Sequence, residues 1–274
     1  MLNPLPLLAA LALGPQSSPA STSAAKPPKE RAILYGVVGR DATMPSGCLL
    51  RVDLQKLVVE DLGAIDGDKE YSFPSDGAPD PDGKHFWVAQ TRFGGAPEAW
   101  RTWLQRVDLT TRKQNRWIAV PGEVYLDALA FDAEGRLFAM NSSRVPCALV
   151  QVDLATGAIT EKDEVAPGIV RGLAFHGGEL WGVHEKRLDP PQHGEELLRI
   201  SPVDGSVMAR VALPFADDEH AMAIAFTPRG RCVLSIVAKH ALPDRLVEVD
   251  RATGALTTLV TPFLVPHGMQ VAVR

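Results

Sequence analysis

Short apolar runs broken by polar, Gly-bearing turns recur along this chain, and their order repeats. The copy from Ala128 to Val165 is the cleanest. Ala128-Leu129-Ala130-Phe131 is an apolar run, Asp132-Ala133-Glu134-Gly135 is a turn, and Leu137-Phe138-Ala139-Met140 is a second run. Gly suits such turns because it takes positive φ without steric cost. A polar loop, Asn141 to Pro146, leads to the third run, Leu149-Val150-Gln151-Val152-Asp153. Thr156-Gly157 then turns the chain into a fourth, Ala158 to Val165. Short strands joined in this way by tight turns predict one propeller blade.

The third run returns as Leu49 to Leu54, Leu104 to Leu109, Leu149 to Leu154, Leu197 to Pro202 and Leu246 to Arg251. Its fifth column holds Asp53, Asp108, Asp153, Ser201 and Asp250, at steps of 55, 45, 48 and 49 residues. Repeats of this size made of short strands predict a β-propeller. An Asp ahead of x-x-Thr-Gly is expected to accept backbone N–H groups and fix the hairpin. The recurring Phe and Trp positions are expected to pack between blades. The first copy lacks a first strand: Ala32 to Val38 matches a second strand, while His267 to Val273 reads as an orphan first strand. The C-terminal strand is therefore expected to complete the first blade and close the ring, leaving no open sheet edge between the termini. The expectation is an all-β fold, a five-bladed propeller over residues 30–274 as one domain. A sixth blade would have to lie between Asp66 and Thr102.

Composition narrows the setting. The chain has 274 residues, 23 Gly and 22 Pro, a net charge of −5, and no Lys/Arg run. A nucleic-acid partner is not expected. Residues 1–29 read as an export leader, with an apolar run from Leu5 to Leu13 and small-x-Ala sites after it, but no Lys or Arg in front. That run is too short to span a bilayer, which takes about 20 residues. The expected product is an exported, periplasmic or extracellular monomer. Cys48, Cys147 and Cys232 make an odd count and are expected to be buried free thiols.

In an up-and-down blade the loop into strand one and the loop after strand two share a face. The position four before the Phe column holds Asp127, Arg171 and Met222, with Ser75 beside Asp76 and His267 at the matching places. The ends of the second strands add Asn141, His184 and Glu185, and two long loops, Phe93 to Thr102 and Lys186 to Glu196, flank them. Asp76, Asp127, Asn141, Arg171, His184, Glu185 and His267 are therefore the candidate ligand-binding set at the channel mouth. Asp127, Asn141 and His267 are the donors that could hold a divalent cation such as Ca²⁺. His184 and Glu185 are the candidate bases. Leu188 stands where H-E-x-x-H needs its second His, so no zinc-protease motif is present. Asp76, Asp80 and Asp82 resemble a calcium loop, but Asp80-Pro81-Asp82-Gly83 falls where every repeat turns, and a turn is expected there. There is no G-x-S-x-G, C-x-x-C, Walker or G-x-G-x-x-G motif.

The grammar of Gly/Ala-Leu-Ala-Phe, a Gly turn, Leu/Phe-Trp and Val-Asp-x-x-Thr-Gly resembles exported bacterial β-propellers of the broad gluconolactonase and NHL type. The resemblance covers the chain from Glu30 onward. In the gluconolactonase-like group the polar residue before Gly-Leu-Ala-Phe is often a metal ligand. Here that place holds Asp127 but also Arg171 and Met222, which counts against carrying the metal site over. The exported glutaminyl cyclases are a five-bladed precedent, but their Phe-Thr-Gln-Gly-Leu signature is missing. The functional expectation is a propeller that binds a small molecule or a protein at its polar mouth. The alternative is a metal-dependent lactonase or phosphoesterase at the same mouth, and a third is a quinone- or sugar-binding propeller.

Overall fold

The computed structural model describes residues 32–38, 47–65, 72–92, 101–166, 168–187, 193–216, 219–238, 244–261 and 268–271. Among them are twenty strands in five four-stranded antiparallel sheets, and no helix. The first blade holds β1 (Ile33–Val38), β2 (Cys48–Asp53) and β3 (Val58–Ala64). The second holds β4 (Ser72–Pro79), β5 (His85–Arg92), β6 (Arg101–Asp108) and β7 (Gln114–Val120). The third holds β8 (Leu126–Phe131), β9 (Leu137–Asn141), β10 (Cys147–Val152) and β11 (Ile159–Ala166). The fourth holds β12 (Ile169–His176), β13 (Glu179–Arg187), β14 (His193–Ile200) and β15 (Val207–Leu213). The fifth holds β16 (Glu219–Phe226), β17 (Cys232–Ala238), β18 (Arg245–Val249) and β19 (Leu256–Val260). The last strand, β20 (Gly268–Val271), pairs antiparallel with β1, with Leu34 opposite Val271. It completes the first blade, as the orphan strand in the sequence predicts. The segment suspected of hiding a sixth blade instead supplies β4 and β5 of the second.

The innermost strands β4, β8, β12, β16 and β20 touch one another in that cyclic order and surround the axis. Burial reflects this arrangement. The second and third strands of each blade are sandwiched between neighbouring blades, so β9 and β10 are buried almost throughout. The outermost β15 instead alternates exposed and covered residues over Val207–Leu213, the period of a half-wet strand. Each joint between blades has its own apolar cluster. Trp87 and Leu104 meet Leu129 and Leu137 between blades two and three, and Phe138 and Met140 meet Leu173 and Leu180 between three and four. Cys48, Cys147 and Cys232 are buried and unbridged. Burial pushes the Cys147 thiol up to about 11 and that of Cys232 up to about 12, so both are poor nucleophiles at neutral pH.

The repeated Asp does local work. Asp53 Oδ1 accepts the N–H groups of Gln55 and Lys56, each at 3.0 Å. Asp108 Oδ1 accepts those of Thr110 at 2.9 Å and Thr111 at 2.6 Å, and Asp250 Oδ1 those of Ala252 at 2.8 Å and Thr253 at 3.1 Å. The turn glycine then seats the hairpin on the preceding blade. A Cβ on Gly157, at φ +78°, would strike the Ala119 carbonyl oxygen, and one on Gly254, at φ +76°, would strike that of Ala212. Asp80 and Asp82 likewise form a turn. Asp80 Oδ1 accepts Asp82 N–H, Asp82 Oδ1 accepts Lys84 and His85 N–H, and Asp80 Oδ2 accepts Trp87 Nε1.

Candidate functional site at the channel mouth

Four of the innermost strands carry a bulge near the same end. The ladder skips Ser75 in β4, Asp127 in β8, Gly172 in β12 and Met222 in β16. A bulge leaves one residue outside the pairing and re-aims its neighbours. Ser75, Asp127 and Met222 are the positions that the repeat alignment singles out. In β12 the skip falls one residue later, because Gly172 takes φ +58° and its Cα abuts Ala223 of the next blade: a Cβ there would lie 2.8 Å from the Ala223 Cα. Arg171 therefore stays in the ladder, opposite Val183.

Arg171 is the hub. Its Nε and Nη2 donate to Glu185 Oε2 at 3.0 and 2.5 Å. Burial works against its charge, but Asp127, Glu185 and Glu195 outweigh burial and hold its pKa above the ordinary value. His220 Nδ1 lies 3.2 Å from Glu195 Oε1 and 4.0 Å from Glu185 Oε1. Glu185 and Glu195 are cross-strand partners in blade four, and His220 comes from β16 of blade five. Beside them, Arg245 donates to Glu219, Nη2 to Oε1 at 2.8 Å. On the other side of Arg171, the Tyr125 hydroxyl donates to Asp127 Oδ1 at 3.1 Å. Burial first, then the charge of Asp127, pushes the Tyr125 pKa up, so the phenol stays protonated.

Two neighbours in sequence part company in space. Successive strand residues point to opposite faces of the sheet, so Glu185 joins Arg171 toward blade five while His184 does not. His184 Nδ1 lies 3.5 Å from Glu196 Oε2, which also accepts Arg210 Nη1 at 2.9 Å. His184 is fully enclosed, and a Cβ on Gly168 would come within 2.5 Å of its Nε2.

Asp76 sits in the joint between blades two and three. Its Oδ1 accepts the Gly77 N–H at 2.6 Å and its Oδ2 that of Leu129 in β8 at 2.8 Å. Burial pushes its pKa well above the carboxylate range, the two N–H bonds pull it back, and the charge of Asp127 adds to the rise. Ser75 Oγ donates to Leu126 O at 2.5 Å across the same joint. The structure thus places Asp127, Arg171 and Glu185 in one electrostatic neighbourhood, with Asp76 behind Asp127. His267 lies outside the described residues.

The expected cation donors are tested by their own bonds. Asn141 Oδ1 accepts both the Ser143 N–H at 3.2 Å and the Ser143 hydroxyl at 2.6 Å, so its oxygen closes a turn. Among the described residues, one group has the spacing of a metal site: Asp80, Asp82 and His85, at the β4–β5 turn on the opposite face of the ring. Arg106 occupies the cation position there, with Nε 2.6 Å from Asp80 Oδ2 and Nη2 2.7 Å from Asp82 Oδ2. Arg106 thus already neutralises the Asp80–Asp82 pair, and the Asn141 oxygen is engaged within its own turn.

Glu195, Glu196, Glu219, His220 and Tyr125 are not singled out from the sequence. Glu195 and Glu196 fall within the expected Lys186 to Glu196 loop, but β13 runs to Arg187 and β14 begins at His193. Carrying the face-sharing rule on to the start of strand three would have found them, because they stand opposite Glu185 and His184.

No family model and no curated protein matches the chain. Solved structures do. A bifunctional GH43-CE protein from Bacteroides eggerthii aligns with a TM-score of 0.61 at 11% identity, over 88% of this chain and 35% of its own. A point mutant of the GH43 protein BlXynB from Bacillus licheniformis gives 0.55 at 12% identity, over 85% and 54%. A putative gluconolactonase gives 0.46 at 18% identity, over 74% and 67%. This chain thus spans about a third to a half of the two GH43 chains. At such identities the likeness of the two GH43 chains speaks for architecture alone, and the five four-stranded blades make this chain a five-bladed β-propeller.

Proposed function

We propose that the protein is a binding propeller whose channel mouth takes a small polar molecule bearing hydroxyl or amine donors. The observation that carries this is the concentration of Asp127, Arg171, Glu185, Glu195 and His220 on strands β8 to β16 at one end of the ring. Placing so many ionisable groups where water is scarce costs stability unless they are paired. Folded proteins place such groups at functional sites more often than elsewhere. Carboxylates outnumber guanidinium groups in this cluster, which favours a ligand that donates hydrogen bonds. Export, expected from residues 1–29, completes the proposal as a periplasmic or extracellular binder.

A second reading is a hydrolase of lactones or phosphoesters at the same mouth. It is supported by the adjacency of Asp76 and Asp127: burial, and then the charge of Asp127, pushes the Asp76 carboxyl toward the protonated form, as an acid role requires. The test is a thermal-shift panel of polyols, amines, lactones and phosphoesters, each with EDTA and then with Ca²⁺, Mg²⁺, Mn²⁺ or Zn²⁺. The binding reading expects a saturable shift from a polyol or an amine that EDTA leaves unchanged. Turnover of a lactone or phosphoester, lost with EDTA and restored by one ion, would replace it with the hydrolase reading.

A further inference from the structure

The column after the repeated Asp reads Leu54, Leu109, Leu154, Pro202 and Arg251. Each residue faces the joint with the preceding blade. Leu54 packs with Ala223 and Ala225 of blade five, Leu109 with Tyr35 and Leu49 of blade one, and Leu154 against Trp87 and Ile118 of blade two. In blade five Arg251 takes over, with its guanidinium 5.4 Å from the Trp181 ring centroid and 5.3 Å from that of Phe226. Four of the five joints thus carry a long side chain as a plug at the face opposite the mouth. The joint between blades three and four carries Pro202, which is too short to act as one.

A second departure falls at the same place. The first hairpins of blades two, three and five turn through Asp or Thr and a later Gly, bonded to the backbone. Blade four turns through Gly177 and Gly178, at φ +59° and +81°, and a Cβ on either would meet nothing within 4 Å. The result is a cleft of about 500 Å³ between the two hairpins, within the range of small-molecule sites. Phe131 and Phe175 line it with Pro202, and Asp132, Glu134 and Arg136 stand along its edge. Arg136 is already engaged, with Nε 2.5 Å from Asp132 Oδ2 and Nη2 3.2 Å from Glu134 Oε2. The cleft therefore offers two aromatic rings, with His176 beside them, beneath an edge that carries two carboxylates against one guanidinium.

We propose that this cleft is a second binding site, on the face opposite the mouth, for a small amine whose apolar ring lies on Phe131 and Phe175 and whose ammonium faces Glu134. Aromatic rings pair favourably in offset or edge-to-face contact, and the carboxylate edge adds the charge preference. The site stands independently of the mouth.

The test titrates the full chain with 2-phenylethylamine, 2-phenylethanol and 3-phenylpropionate, followed by ¹H–¹⁵N chemical-shift changes. The amine is expected to bind saturably at least tenfold more tightly than either analogue, with shifts at residues 131–136 and 175–178. Glu134→Gln should weaken it several-fold. Pro202→Leu, which installs the plug of the first three blades, should abolish binding while keeping a native spectrum. Pro202→Arg, which copies blade five, makes the same test should the Leu variant fold poorly. The proposal is overturned by equal binding of the three probes, by no saturable shift, or by amine binding that survives the plug.

Discussion

Asp108 shows how one carboxylate fixes a turn, and how the turn should answer to pH. Its backbone N–H partners, Thr111 first, hold its pKa below the ordinary value, as the Lys56 N–H does for Asp53 and the Ala252 N–H for Asp250. A carboxylate depressed in the folded state stabilises above its unfolded pKa of about 3.9 and loses that contribution as the pH falls through the folded value. The turn carboxylates' share of stability should therefore be complete from about pH 5 to 7 and be lost below about pH 4, read as the difference in thermal midpoint between the protein and its turn variants. Asp108→Asn should melt lower at pH 7 and lose less on acidification; an unchanged acid slope would refute the role of the turn carboxylates. Asp76 has the opposite sign. Its folded pKa is raised, so its ionisation weakens the fold as pH climbs above the unfolded value. Asp76→Asn replaces one acceptor oxygen with an amide nitrogen that cannot accept an N–H, and should cost about 1–3 kcal/mol by urea unfolding. No loss would mean that Asp76 is not the link between β4 and β8.

At the scale of the element, the hairpins are legible because their chemistry is local. Asp, Thr and Gly within five positions contain the whole instruction for the β10–β11 turn, so Asp153 to Gly157 could be read directly. Gly157 adds a constraint from packing: at φ +78° a side chain is strained, and its Cβ would strike the Ala119 backbone. Gly157→Ala should destabilise by more than about 1 kcal/mol, read from the urea midpoint at unchanged slope. A neutral Ala would show that the hairpin is not seated on blade two. The candidate site was legible only where the strand pattern alone reaches it. Asp127 and Arg171 stand out because each lies four residues before the recurring Phe of an inner strand. His184 and Glu185, adjacent in sequence, cannot serve one centre because a strand sends them to opposite faces. Glu195 and His220 arrive from another strand and another blade, and no spacing within one repeat announces that meeting.

At the scale of the molecule, the ring is closed by β20, a short strand distant in sequence from β1. Removing residues 268–274 should leave β1 as an open edge and β4 and β16 without their common neighbour. Urea unfolding of that truncation should lose cooperativity, with a lower slope and earlier proteolysis; a transition like that of the full chain would contradict closure by β20. Repeat and closure were visible in the sequence because each blade restates the same pattern, whereas the mouth is assembled from places where the blades differ. Binding at the mouth is the property on which the proposed function stands. Its most direct test is the thermal shift of the full chain with the polyol and amine panel, repeated on Asp127→Asn and on Pro202→Leu. A ligand at a hundredfold excess over its Kd stabilises by about 2.7 kcal/mol. At least one ligand is expected to give a shift that is lost in Asp127→Asn and kept in Pro202→Leu. No shift from any compound, or shifts that all survive Asp127→Asn, would contradict it.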